Sequence, residues 1–321
     1  MIGVIGSGSW ATAIVKILLE KEDRRVNWWV RRREVQQSLA MTGYNPNHLR
    51  QVGLDFRRLM VSTDLAKMVE ESEVLVVAVP SIYVEGVLGT LPGKAYGGKL
   101  MVSAVKGYVP RVRMGVSQYM ASELSVPEEN ICVVSGPSHA EEVAAGLPTF
   151  LEVASTNAQA ASEMANALRC SYIHPFATSE VQNLELCGLA KNVYAVAAGM
   201  TAGLGYGDNL LAVLTAAAGR ELRLMMKEGS EPMFMLEDLM ATCFSSHSRN
   251  RALGEAVAQG TPAVEHIERS RMVAEGYYSS SIMHSMPHRE DRSIAEMVYR
   301  VLYEGVPAKQ EVDLLMKTCF Q

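Results

Sequence analysis

The chain has 321 residues, of which 48% are hydrophobic and 20% are charged, and its formal net charge at pH 7 is −5. This length is sufficient for two domains, and the composition is typical of a globular protein. The negative charge provides no general attraction for nucleic acid or anionic membranes, and no apolar run reaches the roughly 18 residues of a spanning helix, so we expect neither nucleic-acid binding nor membrane insertion.

The first predicted element is an apolar strand that leads directly into the glycine turn Gly6-Ser7-Gly8, and a helical run follows at residues 13–19. Gly6 permits a tight turn, and Gly8 allows the backbone to approach a pyrophosphate without an intervening Cβ. The helix start then offers unpaired N–H groups and a partial positive charge to an anion. The order strand, glycine turn, helix predicts a dinucleotide-binding unit.

A second strand, at residues 26–30, ends about 20 residues beyond the glycines, where such folds place the side chain that contacts the ribose. The chain has Arg31, Arg32 and Arg33 there, and the first acidic residue is Glu34. Guanidinium groups favour a 2′-phosphate, whereas an acidic residue would favour the 2′-hydroxyl of NAD. We therefore predict that NADP(H) is accepted and preferred over NAD(H). The alternative is that these arginines are a solvated start of a surface helix.

Strands and helices then alternate as far as residue 178, which predicts an α/β fold with a doubly wound, Rossmann-type sheet over residues 1–178. Predicted helices cover residues 64–69 and 82–88, and predicted strands cover residues 74–79, 99–105, 130–135, 150–155 and 172–175. Lys106, Gly136 and Ser138 follow predicted strands. Ligands bind at the carboxyl ends of the strands in such sheets, so we expect these three residues at the binding rim.

From about residue 180 the strand-like runs stop, and Ala, Leu, Met and Glu dominate. This change predicts an all-helical second domain over residues 179–321. The small residues at 195–199 would allow close helix packing, within the domain or across a dimer interface.

Lys191 is the strongest catalytic candidate in this helical region. Cys187, Gly188 and Ala195 share its helix face, and no carboxylate lies three or four residues away on the same helix. A partly desolvated amine has a lowered pKa, which suits a general acid or base in hydride transfer at a carbinol carbon. The alternative is a lysine that extends along the surface to reach solvent.

A second polar cluster, Ser248-Arg249-Asn250, places a hydroxyl, a guanidinium and an amide side by side. These groups suit a phosphate dianion. The alternative is a capped helix start with a solvated arginine.

The five cysteines are scattered and include no C-x-x-C pair, which predicts reduced thiols in a cytoplasmic protein and no metal site. They are Cys132, Cys170, Cys187, Cys243 and Cys319.

Six segments carry a family resemblance by their order and spacing along nearly the whole chain. They are residues 6–13 (GSGSWATA), 106–107 (KG), 135–143 (SGPSHAEEV), 189–193 (LAKNV), 248–251 (SRNR) and 273–277 (VAEGY). Together they resemble the bacterial-type NAD(P)-dependent glycerol-3-phosphate dehydrogenases. The resemblance implies reversible reduction of dihydroxyacetone phosphate, a small phosphorylated substrate, with NADPH or NADH. It also implies a product used for phospholipid synthesis, a cytoplasmic location and a homodimer.

The resemblance further implies that Lys191 is the proton donor and acceptor at the C2 oxygen, with Lys106 and Asp238 in the same catalytic group. The substrate contacts that it implies are Lys106, Gly136, Ser138, Lys191, Asp238, Ser248, Arg249 and Asn250. The cofactor contacts that it implies are Ser9, Trp10, Arg31, Lys106, Ala140, Arg249, Val273 and Glu275, in addition to the glycine turn and Arg32.

The segment before Asp238 departs from the family pattern. The family commonly has a glycine-rich loop that ends in Gly-Asp, whereas this chain has Met-Leu-Glu-Asp at residues 235–238. The extra carboxylate of Glu237 puts the place of Asp238 in doubt. Two other functions stay open at this point: a different β-hydroxyacid dehydrogenase, and a non-catalytic NADPH sensor.

Overall fold

The computed structural model describes residues 1–226, 231–270, 272–287 and 293–318. Its contacts divide the chain into two units: residues 1–105 with 114–184, and residues 106–113 with 185–321. Residues 106–113 belong to the second unit although they are flanked in sequence by residues of the first, and this assignment was not predicted from the sequence. Cys319 lies outside the described residues.

The first unit is built on one eight-stranded sheet with the strand order β3-β2-β1-β4-β5-β6-β7-β8. The strands are β1 (Ile2–Ile5), β2 (Val26–Trp29), β3 (Leu59–Ser62), β4 (Val74–Val77), β5 (Leu100–Ser103), β6 (Ile131–Ser135), β7 (Thr149–Ala154) and β8 (Ile173–Thr178). All neighbouring pairs are parallel except β6 and β7, which are antiparallel. The predicted Rossmann-type α/β sheet is confirmed.

The fifteen α-helices within the described ranges follow in chain order. They are α1 (Ser9–Leu19), α2 (Arg33–Thr42), α3 (Leu65–Glu70), α4 (Ser81–Leu88), α5 (Val116–Ser122), α6 (Ala140–Ala144), α7 (Ala158–Leu168), α8 (Val181–Gly203), α9 (Gly207–Met225), α10 (Met235–Phe244), α11 (Arg249–Ala258), α12 (Ala263–Ser270), α13 (Glu275–Ser285), α14 (Ser293–Tyr299) and α15 (Ala308–Thr318). None of the helices described is long and apolar enough to cross a bilayer.

Strand β3 is the strand of the sheet that was not predicted from the sequence. It is four residues long, lies at the edge of the sheet, and only Leu59 among its residues is buried. A short edge strand contributes little to the core, so it lacks the continuous apolar run that marks the central strands.

Three helices of the second unit approach one another closely at glycines. A Cβ at Gly254 of α11 would lie 2.0 Å from the carbonyl oxygen of Val196 in α8. In the reverse direction, a Cβ at Gly199 of α8 would lie 2.0 Å from the carbonyl oxygen of Arg251 in α11. On α13, a Cβ at Gly276 would lie 2.6 Å from the backbone carbonyl oxygen of Asn192 in α8. The small residues at 195–199 thus serve close packing inside the unit, which brings polar groups on α8, α11 and α13 within hydrogen-bonding distance.

Candidate active site

The glycine turn of the first unit has the shape that a dinucleotide requires. Gly6 has a φ of +126°, and a Cβ there would lie 2.6 Å from the carbonyl oxygen of Ala78, so only glycine fits. A Cβ at Gly8 would instead meet no atom within 4 Å. Gly8 is also the N-cap of α1, and it provides no side chain to occupy the first-turn N–H groups. Open space above a helix start is the feature that fits a pyrophosphate.

The neighbouring side chains fix this turn, residues 6–10, which we call the phosphate cradle. The indole of Trp10 donates to the carbonyl oxygen of Ala104 at 3.1 Å. The indole of Trp28, fully buried in β2, donates to the carbonyl oxygen of Gly6 at 2.6 Å. The carbonyl oxygen of Ser7 accepts from the amide of Asn45 at 3.0 Å. These bonds come from three separate segments, so the cradle is held rigidly.

The arginines after β2 are exposed at the surface of the first unit. The guanidinium of Arg31 lies 5.9 Å from the ring centroid of Tyr83, within the range of a cation–π contact. Arg32 is the N-cap residue of α2, and Glu34 lies in the first turn of that helix. Both interpretations of the arginines, as a 2′-phosphate site and as a surface helix start, agree with these positions.

Three predicted contact residues follow strand β6 in the first unit. Gly136 has a φ of +127°, which favours glycine. The buried hydroxyl of Ser138 donates to the Gly136 carbonyl oxygen at 2.8 Å, and Ala140 is the first residue of α6. The strand end therefore turns sharply into a helix start, as at the phosphate cradle.

The second unit holds a buried ion pair between Lys191 of α8 and Asp238 of α10. The side chains of Lys191 and Asp238 are 3% and 5% exposed, and the Lys191 ammonium donates to Oδ1 of Asp238. The helix face of Lys191 carries no acidic partner of its own, and the partner comes from another helix. Removing one member of such a pair leaves an uncompensated buried charge.

Asp238 and the extra carboxylate of Glu237 lie on different faces of one helix turn. Residues 235–238 form the first turn of α10, where Asp238 points inward and Glu237 is exposed. The added carboxylate therefore faces solvent, whereas Asp238 faces Lys191.

Lys106 lies beside this ion pair. Burial of its amine and, to a smaller extent, the neighbouring charge of Lys191 lower its pKa to about 7, and Asp238 partly opposes the shift. The pKa near neutrality that suits acid–base chemistry therefore occurs at Lys106. We call Lys106, Lys191 and Asp238 the amine site.

A chain of side-chain amides connects the backbone of Lys106 to the start of α13. Nδ2 of Asn192 donates to the Lys106 carbonyl oxygen at 2.7 Å and to the Gly188 carbonyl oxygen at 2.8 Å. Nδ2 of Asn250 donates to Oδ1 of Asn192 at 2.7 Å, and Oδ1 of Asn250 accepts from the Gly276 N–H at 2.9 Å. The Asn250 amide is thus engaged within the protein through both its nitrogen and its oxygen. Asn192 was not among the site residues predicted from the sequence.

The start of α11 carries the predicted phosphate-binding cluster. Ser248 is the N-cap residue, and its hydroxyl oxygen accepts from the Arg251 N–H at 3.2 Å. Arg249 is exposed, and its guanidinium donates to the carbonyl oxygen of Val273 at 3.5 Å. Glu275, two residues further on, begins α13. The cluster is therefore a capped helix start that also carries an exposed guanidinium.

The predicted residues thus form two groups, one in each unit. The first unit contains Gly6, Ser7, Gly8, Ser9, Trp10, Arg31, Arg32, Gly136, Ser138 and Ala140, and the second contains Lys106, Lys191, Asp238, Ser248, Arg249, Asn250, Val273 and Glu275. Across the part of the chain that the structure describes, no group of three or more His, Cys, Asp or Glu side chains is arranged to hold a metal ion.

Family models match both parts of the chain. The model for the N-terminus of NAD-dependent glycerol-3-phosphate dehydrogenase matches residues 1–161, and the model for the C-terminus matches residues 180–313. Glycerol-3-phosphate dehydrogenase [NAD(P)+] of Chlorobium phaeobacteroides is 32% identical over 98% of this chain and 96% of its own length. A relative of the same name from Salinibacter ruber is 33% identical over 98% of this chain and 94% of its own length.

Solved structures agree with these matches. The crystal structure of glycerol-3-phosphate dehydrogenase from Coxiella burnetii is 26% identical, with a TM-score of 0.89 over 98% of both chains. The structure of Plasmodium falciparum glycerol-3-phosphate dehydrogenase is 18% identical and superposes with a TM-score of 0.85. The match covers 98% of this chain and 94% of the other, and at this identity it supports the fold alone. The chain belongs to the NAD(P)-dependent glycerol-3-phosphate dehydrogenase family.

Proposed function

We propose that this chain catalyses the reversible NAD(P)H-dependent reduction of dihydroxyacetone phosphate to sn-glycerol 3-phosphate, with Lys191 as the proton donor. The observation that carries the proposal is the buried Lys191–Asp238 pair with Lys106 beside it, in a member of this family. When bound, the reduced nicotinamide supplies the hydride for C2 of the substrate.

Lys191 gives its Nζ proton to the C2 oxygen as negative charge develops there. A buried ammonium also stabilises that charge, because the surroundings exclude water. Asp238 accepts one N–H of Lys191 and so holds the amine in a fixed direction. In the oxidative direction the same amine, once neutral, takes the proton from the C2 hydroxyl.

Lys106, Ser248, Arg249 and Asn250 form the anion-binding part of the proposed site. Arg249 is exposed at the start of α11, where a guanidinium and a helix N-terminus both favour a phosphate. Binding the non-reacting phosphate here would position the carbonyl for reaction. Gly136 and Ser138 are proposed as further substrate contacts.

The cofactor contacts are proposed at the phosphate cradle, at Ala140, Val273 and Glu275, and at Arg31 and Arg32. The preference for NADPH rests on the exposed guanidinium of Arg31 and the absence of an acidic residue at the end of β2. We also propose that the chain works as a homodimer in the cytoplasm, as the family resemblance implies. The product would enter phospholipid synthesis.

Nicotinamide absorbance, recorded with dihydroxyacetone phosphate and either NADPH or NADH, tests the proposal. We expect rapid oxidation of both cofactors, faster with NADPH at low concentration, and little reaction with unphosphorylated dihydroxyacetone. Oxidation with a non-phosphorylated keto acid instead would indicate a different β-hydroxyacid dehydrogenase. Cofactor binding without any turnover would indicate a sensor.

A further inference from the structure

The amine site contains two lysine amines in contact with each other. The Lys191 ammonium is paired with Asp238, and the Lys106 amine lies within hydrogen-bonding distance of Lys191. The charged groups that act on Lys106 come from three helices: Lys191 of α8, Asp238 of α10 and Arg249 of α11. A third cation beside Lys191 and Arg249 is unfavourable, and this arrangement therefore favours the neutral form of Lys106.

The backbone that carries the Lys106 amine is fixed to the helix of Lys191. Nδ2 of Asn192 donates to the Lys106 carbonyl oxygen at 2.7 Å, and Oδ1 of Asn192 accepts from Asn250 at 2.7 Å. Asn192 follows Lys191 directly on α8, so one helix turn positions both amines. Lys106 as a residue is also partly exposed, which gives small molecules a route to it.

A neutral amine next to an ammonium is a pair of groups that can enolise a ketone. The ammonium stabilises the carbonyl oxygen as negative charge develops there, and the neutral amine removes a proton from an adjacent carbon. Two groups whose environments favour opposite protonation states are candidates for these acid and base roles. In dihydroxyacetone phosphate, the acidic C–H bonds are on the carbons bonded to C2. When the C2 oxygen meets Lys191, these C–H bonds therefore lie close to the neighbouring Lys106.

We propose that the amine site also enolises dihydroxyacetone phosphate, with Lys106 as the base and Lys191 as the acid. This inference rests on the proposed binding of that substrate at the amine site. The Lys106 nitrogen takes a proton from a carbon next to C2, and the C–H electron pair forms a C=C bond. The C=O π electrons move to the C2 oxygen, which takes a proton from Lys191. Return of both protons restores the ketone, so the sequence needs neither an oxidant nor a reductant.

The test is hydrogen–deuterium exchange of dihydroxyacetone phosphate in D2O, followed by proton NMR with NADP+ present and no reduced cofactor. NADP+ cannot reduce the ketone, so only exchange is measured. We expect the wild type to replace hydrogen by deuterium at a carbon next to C2, and Lys106→Arg to do so at least about 100-fold more slowly. A guanidinium stays protonated and cannot act as the base. Lys67→Arg, at the surface of α3, is the matched control and should exchange at the wild-type rate.

The pH dependence separates exchange from reduction. The pKa of Lys106 is about 7, so the neutral base accumulates as the solution is made more basic through neutrality. At saturating substrate, the exchange rate should therefore rise over this range, whereas the cation that favours the substrate phosphate is lost. An exchange rate that falls over the same range would overturn the inference.

The variants also exclude other sources of exchange. Equal exchange in the wild type and Lys106→Arg would come from solution chemistry or a contaminating isomerase, and would overturn the inference. If Lys106→Arg does not fold, Lys106→Met takes its place, because it keeps an aliphatic stem and removes the amine. A wild type that reduces dihydroxyacetone phosphate without exchanging its hydrogens would overturn the inference alone. A wild type that does neither would instead contradict the proposed function.

Discussion

The phosphate cradle and the amine site are built in different ways. Five consecutive residues, 6–10, form the cradle, and the groups proposed to bind the cofactor there are mainly backbone N–H groups at one helix start. The amine site takes one residue each from residues 106–113, α8 and α10, and its supporting amide chain extends to α11 and α13. The first therefore depends on local conformation, and the second depends on how helices pack. Substitutions should accordingly affect the two regions differently.

The largest effect on stability should come from breaking the buried pair of the amine site. Asp238→Asn leaves the Lys191 charge buried without a counter-charge, which we expect to lower the free energy of unfolding by about 3–5 kcal/mol. Glu237→Gln is the matched control, because Glu237 is the exposed neighbour on the same turn of α10 and should change stability by less than about 0.5 kcal/mol. Urea denaturation of the wild type and both variants measures the free energies of unfolding. Equal stability of the two would show that the pair contributes nothing.

The close packing of α8 against α11, which supports the amine site, can be tested at Gly254. A Cβ there would lie 2.0 Å from the Val196 oxygen, so Gly254→Ala must push α8 and α11 apart. We expect a loss of about 1–3 kcal/mol in unfolding free energy, together with reduced turnover. Gly86→Ala in α4 is the control, because a Cβ there meets nothing within 4 Å. A Gly254→Ala variant as stable and active as Gly86→Ala would mean that this close approach is unimportant.

The phosphate cradle should respond in the opposite way. Gly8→Ala places a methyl group in open space, so the melting temperature of the cofactor-free protein should scarcely change. The same methyl group occupies the proposed position of the pyrophosphate, and we expect NADH and NADPH to bind at least about tenfold more weakly, a change of about 1.4 kcal/mol. Calorimetric titration and thermal melting of one sample give both quantities. Unaltered cofactor affinity would place the pyrophosphate elsewhere.

A smaller effect should appear in the pH dependence of the amine site. The pKa of Lys106 is about 7, so its amine is mainly cationic below that pH and mainly neutral above it. Because the substrate phosphate favours the cation, kcat/KM for dihydroxyacetone phosphate should fall as the pH rises through about 7. Lys106→Arg should remove the fall, since a guanidinium stays charged. A kcat/KM that rises over this range would assign the active form to the neutral amine.

The sequence predicted the cradle well because a glycine turn between a strand and a helix is a local pattern. The φ of Gly6 and the open space at Gly8 follow from that pattern alone. It could not predict the contact of Asn45 with the turn, because the chain returns to the turn through a segment without any regular period. Strand β3 was missed for a related reason, since an edge strand has only one buried residue to mark it.

The amine site was predictable in its residues and not in its contacts. The helix face of Lys191 suggested an amine without a partner, whereas its partner, Asp238, lies on a different helix. The pKa near 7 at Lys106 likewise depends on burial by the fold and on charges that are distant in sequence. Helical periodicity shows which residues share one face, but it does not show which helix packs against that face.

The most direct test of the proposed chemistry is the turnover of Lys191→Ala with dihydroxyacetone phosphate and saturating NADPH. Lys67→Ala, at the surface of α3, is the control, and circular dichroism establishes that both variants are folded. We predict that turnover falls roughly 10²–10⁴-fold in Lys191→Ala, while the dissociation constant of NADPH changes by less than about twofold. Turnover near that of the wild type in a folded Lys191→Ala protein would contradict the assignment of Lys191 as the proton donor.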